Sequence, residues 1–356
     1  MATQGWEVGI LGATGMVGQQ LVRRLEGHPW FRLTWVAASE RSEGRTYGEI
    51  PWLLGGSVPE FARDLRIEKP VPGRAPQLLF SALDAEAAAR YEHAFAEAGH
   101  IVVSNARTHR LAADVPLLIP EVNADHLALL PAQQDGRRWA GALVTNPNCS
   151  TVFLAIVLAA CRPFVPRRVL VTTFQAASGA GHPGVPSWDL LGNVVPFIAG
   201  EEEKLETETK KILGTHGECG VTPAPIAISA QAARVPVLEG HTEAISIGFD
   251  APPSEAELVS ALRTFSGLPS GVVLPSAPKA PIIYLSERDR PQPRLDANRA
   301  DGMAVCVGRV RPCPVLDYKL VALGHNTIRG AAGAAILNAE LLAARGWLSE
   351  GAPSWS

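Results

Sequence analysis

The amino-acid sequence predicts an α/β chain of two domains. The first is a parallel sheet covered by helices, and the second an α+β unit on a mixed, largely antiparallel sheet. Three observations point there. The first 148 residues alternate short β-branched runs with helical patterns, the signature of parallel βαβ units. Beyond residue 149 the strand-like runs lengthen, with few helices between them. The chain has 356 residues, 47% of them hydrophobic, more than one core usually spans and enough to fill two.

In chain order, "EVGIL" predicts the first strand and 15–27 a helix, with Val17, Leu21 and Leu25 four apart on one stripe. "LTWVAAS" (33–39) reads as the second strand, and the Pro- and Gly-rich segment 51–76 as a long excursion. "QLLFSAL" (77–83), a helix over 84–98 and "HIVVSN" (100–105) continue the alternation. In the second half, "RRVLVTTFQAAS" (167–178), "TEAISIGFD" (242–250), "AVCVGRVR" (304–311) and "DYKLVALG" (317–324) read as strands. Ser254 and Glu257 have the spacing of a capping box opening a helix. The Ala-rich stretch 326–345 predicts a long helix that packs back on the first domain. The expected division is therefore 1–148 completed by 325–356, with 149–324 between. No internal repeat or low-complexity tract is visible.

Bulk properties narrow the function. With 32 basic and 35 acidic residues the net charge is −3, and the absence of a basic run argues against nucleic acid or a polybasic membrane surface. A small-molecule partner is expected. "MATQGW" lacks the pattern of a signal peptide and no apolar run approaches about 18 residues, so a cytoplasmic protein is expected. The five cysteines (149, 161, 219, 306, 313) are odd in number and widely spaced, without a CxxC pair or Cys/His ligand spacing. Neither a disulfide framework nor a metal site is expected.

In "GILGATGMVGQQL", Gly9, Gly12, Gly15 and Gly18 recur every three residues between a strand and an amphipathic helix. Glycines permit a tight turn and close backbone approach, and the helix start offers free N–H groups to a pyrophosphate. This is the pattern of a Rossmann-type dinucleotide-binding domain. Where an NAD site carries an acid at the end of the second strand, "VAASERSEGR" has Ser39, Arg41, Ser42 and Arg45. Hydroxyls and guanidinium groups suit the 2′-phosphate of NADP, while Glu40 in the same turn leaves NAD open.

"NPNCST" turns the chain at Asn146-Pro147-Asn148 and sets Cys149 before the apolar run "VFLAIVLAA". That puts a thiol at a helix N-terminus, where the dipole and unpaired N–H groups favour thiolate. Cys161, inside the apolar run, reads as a packing residue. A nucleophilic thiol wants a base, and "ARVPVLEGHTEAISI" offers His241 at a strand mouth, with Arg234 and Glu243 nearby. His182 of "SGAGHPG" is the rival base.

Taken together, "GATGMVG", "ASERSEGRTYGE", "SNARTHR", "PNCST", "FQAASGAGHPG", "NVVPFIAGEEEKLETETKKILG", "RVPVLEGHTE" and "HNTIRGAAG" resemble the aspartate-β-semialdehyde dehydrogenases of the branch typical of archaea and fungi. The resemblance runs over essentially the whole chain. It implies an NADP-binding domain completed by the C-terminal helix, and a catalytic and dimerisation domain between. By motif, Cys149 corresponds to the nucleophile, His241 to the acid/base and Gln175 to the residue orienting substrate or thioester. Arg234 matches the arginine gripping the substrate carboxylate. Glu201 and Lys204 match the contacts to the amino group and the phosphate, with Glu202 one position away as the alternative acid. Arg110 resembles a second phosphate ligand. For the cofactor, the resemblance implies Gly12, Ala13, Thr14, Gly15, Met16, Val17, Ser39, Arg41, Ser42, Ser81, Ser178, Gly179 and Asn326.

The implied reaction is NADPH-dependent reduction of aspartyl phosphate to aspartate semialdehyde and phosphate through a cysteine thioester, on the route to lysine, threonine and methionine. A homodimer or homotetramer is implied. The residue types suit the chemistry on their own terms, since a substrate with an ammonium, a carboxylate and a phosphate needs an acid, a forked guanidinium and further cations. Two other readings stay open: a malonyl-CoA reductase or related acyl reductase of the same fold, for which "GEEEK" has no ammonium to meet, and a non-catalytic NADP-binding regulatory protein, which has no need of Cys149, Gln175, Arg234 and His241 together.

Overall fold

The computed structural model describes residues 5–217 and 220–348. Cys219, the first four residues and 349–356, all covered by the expectations above, lie outside the described residues.

The chain opens with β1 (Trp6–Leu11), α1 (Met16–Arg24), β2 (Phe31–Ala37), β3 (Ile67–Glu68), β4 (Leu78–Ser81), α2 (Ala85–Glu97), β5 (Ile101–Ser104), α3 (Pro120–Asn123), α4 (Leu129–Arg137) and β6 (Ala142–Thr145). All six strands pair in parallel, in the order β3-β2-β1-β4-β5-β6. Every residue of β4, β5 and β6 is buried, as a parallel sheet covered on both faces requires. The order reverses between β1 and β4, and ligands of such sheets bind outside the carboxyl ends of the strands at that switch. Two strands escape the sequence pattern. The excursion 51–76 contains β3, two residues long, and β6 is a four-residue apolar run; neither is long enough to display a period.

The second unit comprises α5 (Cys149–Ala160), β7 (Pro166–Gln175), α6 (Ser187–Leu190), α7 (Glu201–Ile212), β8 (Thr215–Gly217), β9 (Gly220–Thr222), β10 (Ala227–Arg234), β11 (His241–Phe249), α8 (Glu255–Thr264), β12 (Ile282–Leu285), α9 (Pro293–Asp296), β13 (Val305–Pro312) and β14 (Tyr318–Gly324). Its main sheet runs β10-β7-β11-β14-β13-β12. The β10·β7 and β12·β13 pairs are parallel and the other three antiparallel, so the sheet is mixed and largely antiparallel. Strand β10 carries no signature in the sequence, because its inward positions include Ala230 and Ala232, too small to signal a strand. Helix α7 covers that edge: Glu206 and Glu202 each accept a backbone N–H, from Ala230 and Ala232, at 3.0 Å. An edge covered this way is closed to further pairing.

One face of this sheet is the core. Val169 and Val171 of β7, Ile245 and Ile247 of β11 and Leu320 of β14 pack against α5, whose residues from Ser150 to Ala160 are all buried. The opposite face is open, with Leu170 47% and Phe174 39% exposed. The predicted capping box forms at α8, where Ser254 N–H donates to Glu257 at 2.8 Å and Glu257 N–H to Ser254 at 3.3 Å.

The C-terminal stretch differs from the single helix expected over 326–345. A π-helical turn, Ile328–Ala332, precedes α10 (Gly333–Ala344). Ile336, Leu337 and Leu341 of α10 join Val8, Ile10, Phe80 and Val103 of the first sheet in one core cluster. Among the described residues no helix is long and apolar enough to cross a membrane. Among the same described residues no cluster of His, Cys, Asp and Glu could hold a metal, and Cys149, Cys161, Cys306 and Cys313 are free thiols.

Candidate active site

The glycine loop follows β1. Gly12 adopts φ +79° and would bring a side chain to 2.7 Å from the Ala82 carbonyl, while a methyl on Gly18 would strike the Gly12 carbonyl at 2.3 Å. These two glycines are required by the fold. Gly15 is different: a methyl there meets nothing nearer than 3.8 Å, so the space over it faces outward. Gly15 also caps α1 without a side-chain acceptor, and the first turn of α1 holds no acid. The positive end of the helix is left for an external anion. Buried Tyr47, unnoticed in the sequence, donates to the Ala13 carbonyl at 2.7 Å and braces the loop. Met16 and Val17 open α1, and Gln19 donates to the Thr14 carbonyl at 3.3 Å. Beyond β2, which ends two residues before Ser39, the Ser42 N–H donates to the Ser39 carbonyl at 2.9 Å. This turn presents Ser39 and Arg41 to solvent.

Cys149 is the first residue of α5. Asn148 caps the helix, accepting from the N–H groups of Ser150 (3.0 Å) and Thr151 (3.3 Å). Cys149 as a whole is half-buried. Burial nevertheless pushes its thiol up to about 12 and the Glu201 carboxylate pushes the same way, against Arg110, Arg234 and the Ser150 N–H. This corrects the expectation that the helix start lowers the thiol: desolvation of a thiolate, with Glu201, outweighs the Ser150 N–H and both guanidinium groups in this pocket. Behind the cysteine, Gly330 of the π-turn sits where a methyl would lie 2.6 Å from Cys149 Cβ.

His241 opens β11 and is fully buried. Its Nδ1 accepts from the Ala176 N–H at 2.9 Å, and its Nε2 has no partner. Burial and the charge of Arg234 hold the imidazole down to about 3. The Ala176 carbonyl in turn accepts from Arg234 Nη1 at 2.7 Å. Gly179 lies over both groups: a methyl on it would come 2.7 Å from Arg234 Nη1 and 3.0 Å from His241 Nε2. The rival base His182 is exposed on the loop after β7.

Glu201, first residue of α7 and buried, is the acid at the centre. Its Oε2 accepts from Asn148 (2.8 Å) and Gln175 (3.1 Å), and its Oε1 from Lys204 (2.5 Å). Burial raises this carboxyl, but Lys204 and the amide donors more than offset it, leaving it below the ordinary range. Glu202 is occupied by β10, and Glu203 is exposed. Arg110 is braced by Glu208 (2.9 Å) and the Asn105 carbonyl (2.7 Å), with its Nε buried and unpartnered. Glu208 also accepts from the Asn148 N–H at 2.7 Å, linking Arg110 to the turn that carries Cys149. No local motif points to Glu208, which lies 60 residues from Asn148, nor to Arg107, an exposed guanidinium on the same side of Gly200 as Lys204.

Ser178 and Asn326 meet: the Asn326 amide donates to Ser178 Oγ at 2.8 Å and accepts from the Gly240 N–H at 2.9 Å. One side chain from the C-terminal segment therefore ties the loop after β7 to the residue before His241. Ser81 is buried at the carboxyl end of β4, against β1.

A doubly wound sheet with a bare helix start, joined to a half-buried Cys beside buried His, Arg and Glu side chains, defines the class of dinucleotide-dependent oxidoreductases. Comparison with known proteins narrows the class. Residues 7–130 match the family described as semialdehyde dehydrogenase, NAD binding domain, and residues 158–329 the semialdehyde dehydrogenase, dimerisation domain. The chain is 47% identical over 339 residues to aspartate-semialdehyde dehydrogenase of Archaeoglobus fulgidus, covering 95% of this chain and 98% of the relative. It is 49% identical over 341 residues to that of Methanothermobacter thermautotrophicus, covering 94% and 98%. A crystal structure of the Candida albicans enzyme with NADP superposes with a TM-score of 0.89 at 40% identity, covering 96% of this chain and all of the other. The chain belongs to the aspartate-semialdehyde dehydrogenase family.

Proposed function

We propose that this enzyme reduces L-4-aspartyl phosphate to L-aspartate 4-semialdehyde with NADPH, through a thioester on Cys149, in biosynthesis of the aspartate-derived amino acids. One observation carries the reading: the Cys149 thiol has an acid, Glu201, and two guanidinium groups, Arg110 and Arg234, as its charged neighbours. An ammonium matches Glu201, an α-carboxylate the planar fork of Arg234, and a phosphate Arg110 with Lys204. Gln175, fixed on Glu201, orients the acyl group.

NADP fits the residues present. The bare start of α1 and the open space over Gly15 suit a pyrophosphate against Gly12, Ala13, Thr14, Gly15, Met16 and Val17. Ser39, Arg41 and Ser42 suit the 2′-phosphate, and Ser81, Ser178, Gly179 and Asn326 the path toward Cys149. Bound NADPH supplies a hydride. Functionally the chain divides into 1–148 with 325–356 for the cofactor and 149–324 for catalysis and dimerisation.

A homodimer through the open face of the second sheet accounts for the exposure of Leu170 and Phe174, and for Trp188 of α6 with Leu191 and Phe197 just after it, at 92%, 71% and 67%. A cytoplasmic setting suits the free thiols. The test is direct: enzyme, NADP, phosphate and aspartate semialdehyde are mixed and NADPH absorbance is followed. A rising trace supports the reading. A flat trace with NADP still bound would leave only a cofactor-binding protein.

A further inference from the structure

Helix α7 repeats a charge pattern. Glu201 and Lys204, three apart, are followed seven residues later by Glu208 and Lys211 with the same spacing. Seven residues are nearly two turns, so the two pairs lie on one stripe, about 10 Å apart along the axis. The first pair meets the substrate in the reading above. Glu208 and Lys211 are also buried, and their side-chain hydrogen bonds run to the two segments that carry Arg110 and Cys149.

Glu208 divides its carboxylate between those segments. Its Oε1 accepts from Arg110 Nη1 at 2.9 Å, and its Oε2 from the Asn148 N–H at 2.7 Å. Lys211 holds the Arg110 segment by its backbone, donating to the carbonyls of Arg110 (2.7 Å), Ala112 (2.7 Å) and Val115 (2.8 Å), which occupies all three ammonium hydrogens. One helix thus holds Arg110 by both guanidinium and carbonyl. The turn before Cys149 is gripped twice as well, since Asn148 donates its side-chain amide to Glu201 at 2.8 Å and its backbone N–H to Glu208. Arg110 follows β5 of the first sheet and Cys149 opens α5, so no local geometry fixes their separation. Nη1 and Nη2 of Arg110 each hold one protein contact, which leaves a hydrogen on each for an oxyanion.

From this arrangement we infer that Glu208 is a positioning residue for the phosphate step, fixing the Arg110 guanidinium against the Cys149 turn so that phosphate is delivered to the acyl carbon of the thioester. The inference rests on the reading above of Arg110 as a phosphate ligand and Cys149 as the acyl carrier. In the oxidative direction an oxygen of hydrogen phosphate bonds to the acyl carbon, the C–S bond breaks with its electron pair going to sulfur, and the phosphate hydrogen restores the thiol. The step needs anion and thioester in register, and a misplacement of about 1 Å costs on the order of 100-fold.

A carboxylate here also has an opposing effect, because its charge offsets that of Arg110 and weakens the attraction for phosphate. Two substitutions separate reach from charge. Glu208→Gln removes the charge and one of the two acceptors. Glu208→Asp keeps both but is one methylene shorter, too short to span Arg110 and Asn148 together.

The test measures steady-state rates of the full chain with aspartate semialdehyde, NADP and phosphate, each varied in turn, alongside thermal melting. Both variants should raise the KM for phosphate by about 10- to 100-fold, while the KM values for aspartate semialdehyde and NADP stay within about threefold. An unchanged or lowered phosphate KM in either variant overturns the inference. Equal rises in all three KM values, or loss of folding in both variants, would make Glu208 a general scaffold residue and overturn it too. A double variant with Arg110→Lys decides the route. Action through Arg110 predicts that Glu208→Gln adds less than about twofold to the phosphate KM of Arg110→Lys, whereas its full effect in that background overturns the inference. Wild-type NADPH production that is indifferent to phosphate would instead defeat the proposed substrate.

Discussion

Gly330 and Cys149 touch backbone to backbone: a methyl on the glycine would lie 2.6 Å from the cysteine Cβ and 3.0 Å from its Cα. The thiol's position is thus set from a segment 181 positions further along the chain, the π-turn before α10. Gly330→Ala should displace the start of α5, costing about 1–3 kcal/mol as overpacking in a close-packed interior does, and lowering kcat more than cofactor affinity. Thermal unfolding and NADP titration on the same preparation check it. Unchanged melting and kcat would show that the two segments are free to part.

Cys149→Ser should abolish turnover while leaving NADP binding within about twofold, because the glycine loop lies on β1 and α1 rather than on α5. A variant with normal kcat would remove the covalent route.

Gly15→Ala separates cofactor binding from folding. The backbone there has φ −80° and a methyl meets only the Gly12 carbonyl, at 3.8 Å. Stability should stay within about 0.5 kcal/mol of wild type, as for an unstrained surface change. Affinity for NADP should fall at least about tenfold, because the methyl occupies the approach of the pyrophosphate. Equal affinity by titration calorimetry would move the cofactor away from this loop.

Arg234→Lys keeps the charge and loses the fork. Losing a charge-assisted hydrogen bond worth about 1.5–3 kcal/mol should reduce kcat/KM roughly 10- to 100-fold. The variant also gives up the contact to the Ala176 carbonyl. Unchanged steady-state kinetics would disconnect this arginine from the substrate carboxylate.

Glu243 lies two residues past His241 on the same face of β11, fully buried, with neither carboxylate oxygen hydrogen-bonded. Burial raises its pKa well above the ordinary value, so in the folded state it retains a proton that the unfolded chain has already released. Stability therefore declines as pH rises from the unfolded pKa toward the folded one. Glu243→Gln removes this titration. The variant should match wild type near pH 4 and become progressively more stable than wild type above it, in denaturant melts at several pH values. Parallel curves would mean that the carboxyl finds a partner when charged.

The sequence by itself determined much of this protein. The glycine spacing, the strand and helix alternation and the turn before Cys149 are local patterns, and each is set by backbone sterics or hydrogen bonding within a few residues. The capping box at Ser254 and the helix at Cys149 were legible for the same reason. Short or Ala-lined strands, β3, β6 and β10, were not, because two to four residues carry no period and small side chains carry little hydrophobic signal.

Tertiary structure alone decided the state of the reactive groups. The thiol is raised because a burial that no local motif encodes outweighs the Ser150 N–H at the helix start and the guanidinium groups of Arg110 and Arg234. Its positioning depends on Gly330, and the Asn148 turn on Glu208. The tautomer of His241 depends on one amide 65 positions earlier. Residue types fix what chemistry is available, whereas protonation and reach depend on neighbours brought together only when both sheets and the returning C-terminal segment pack.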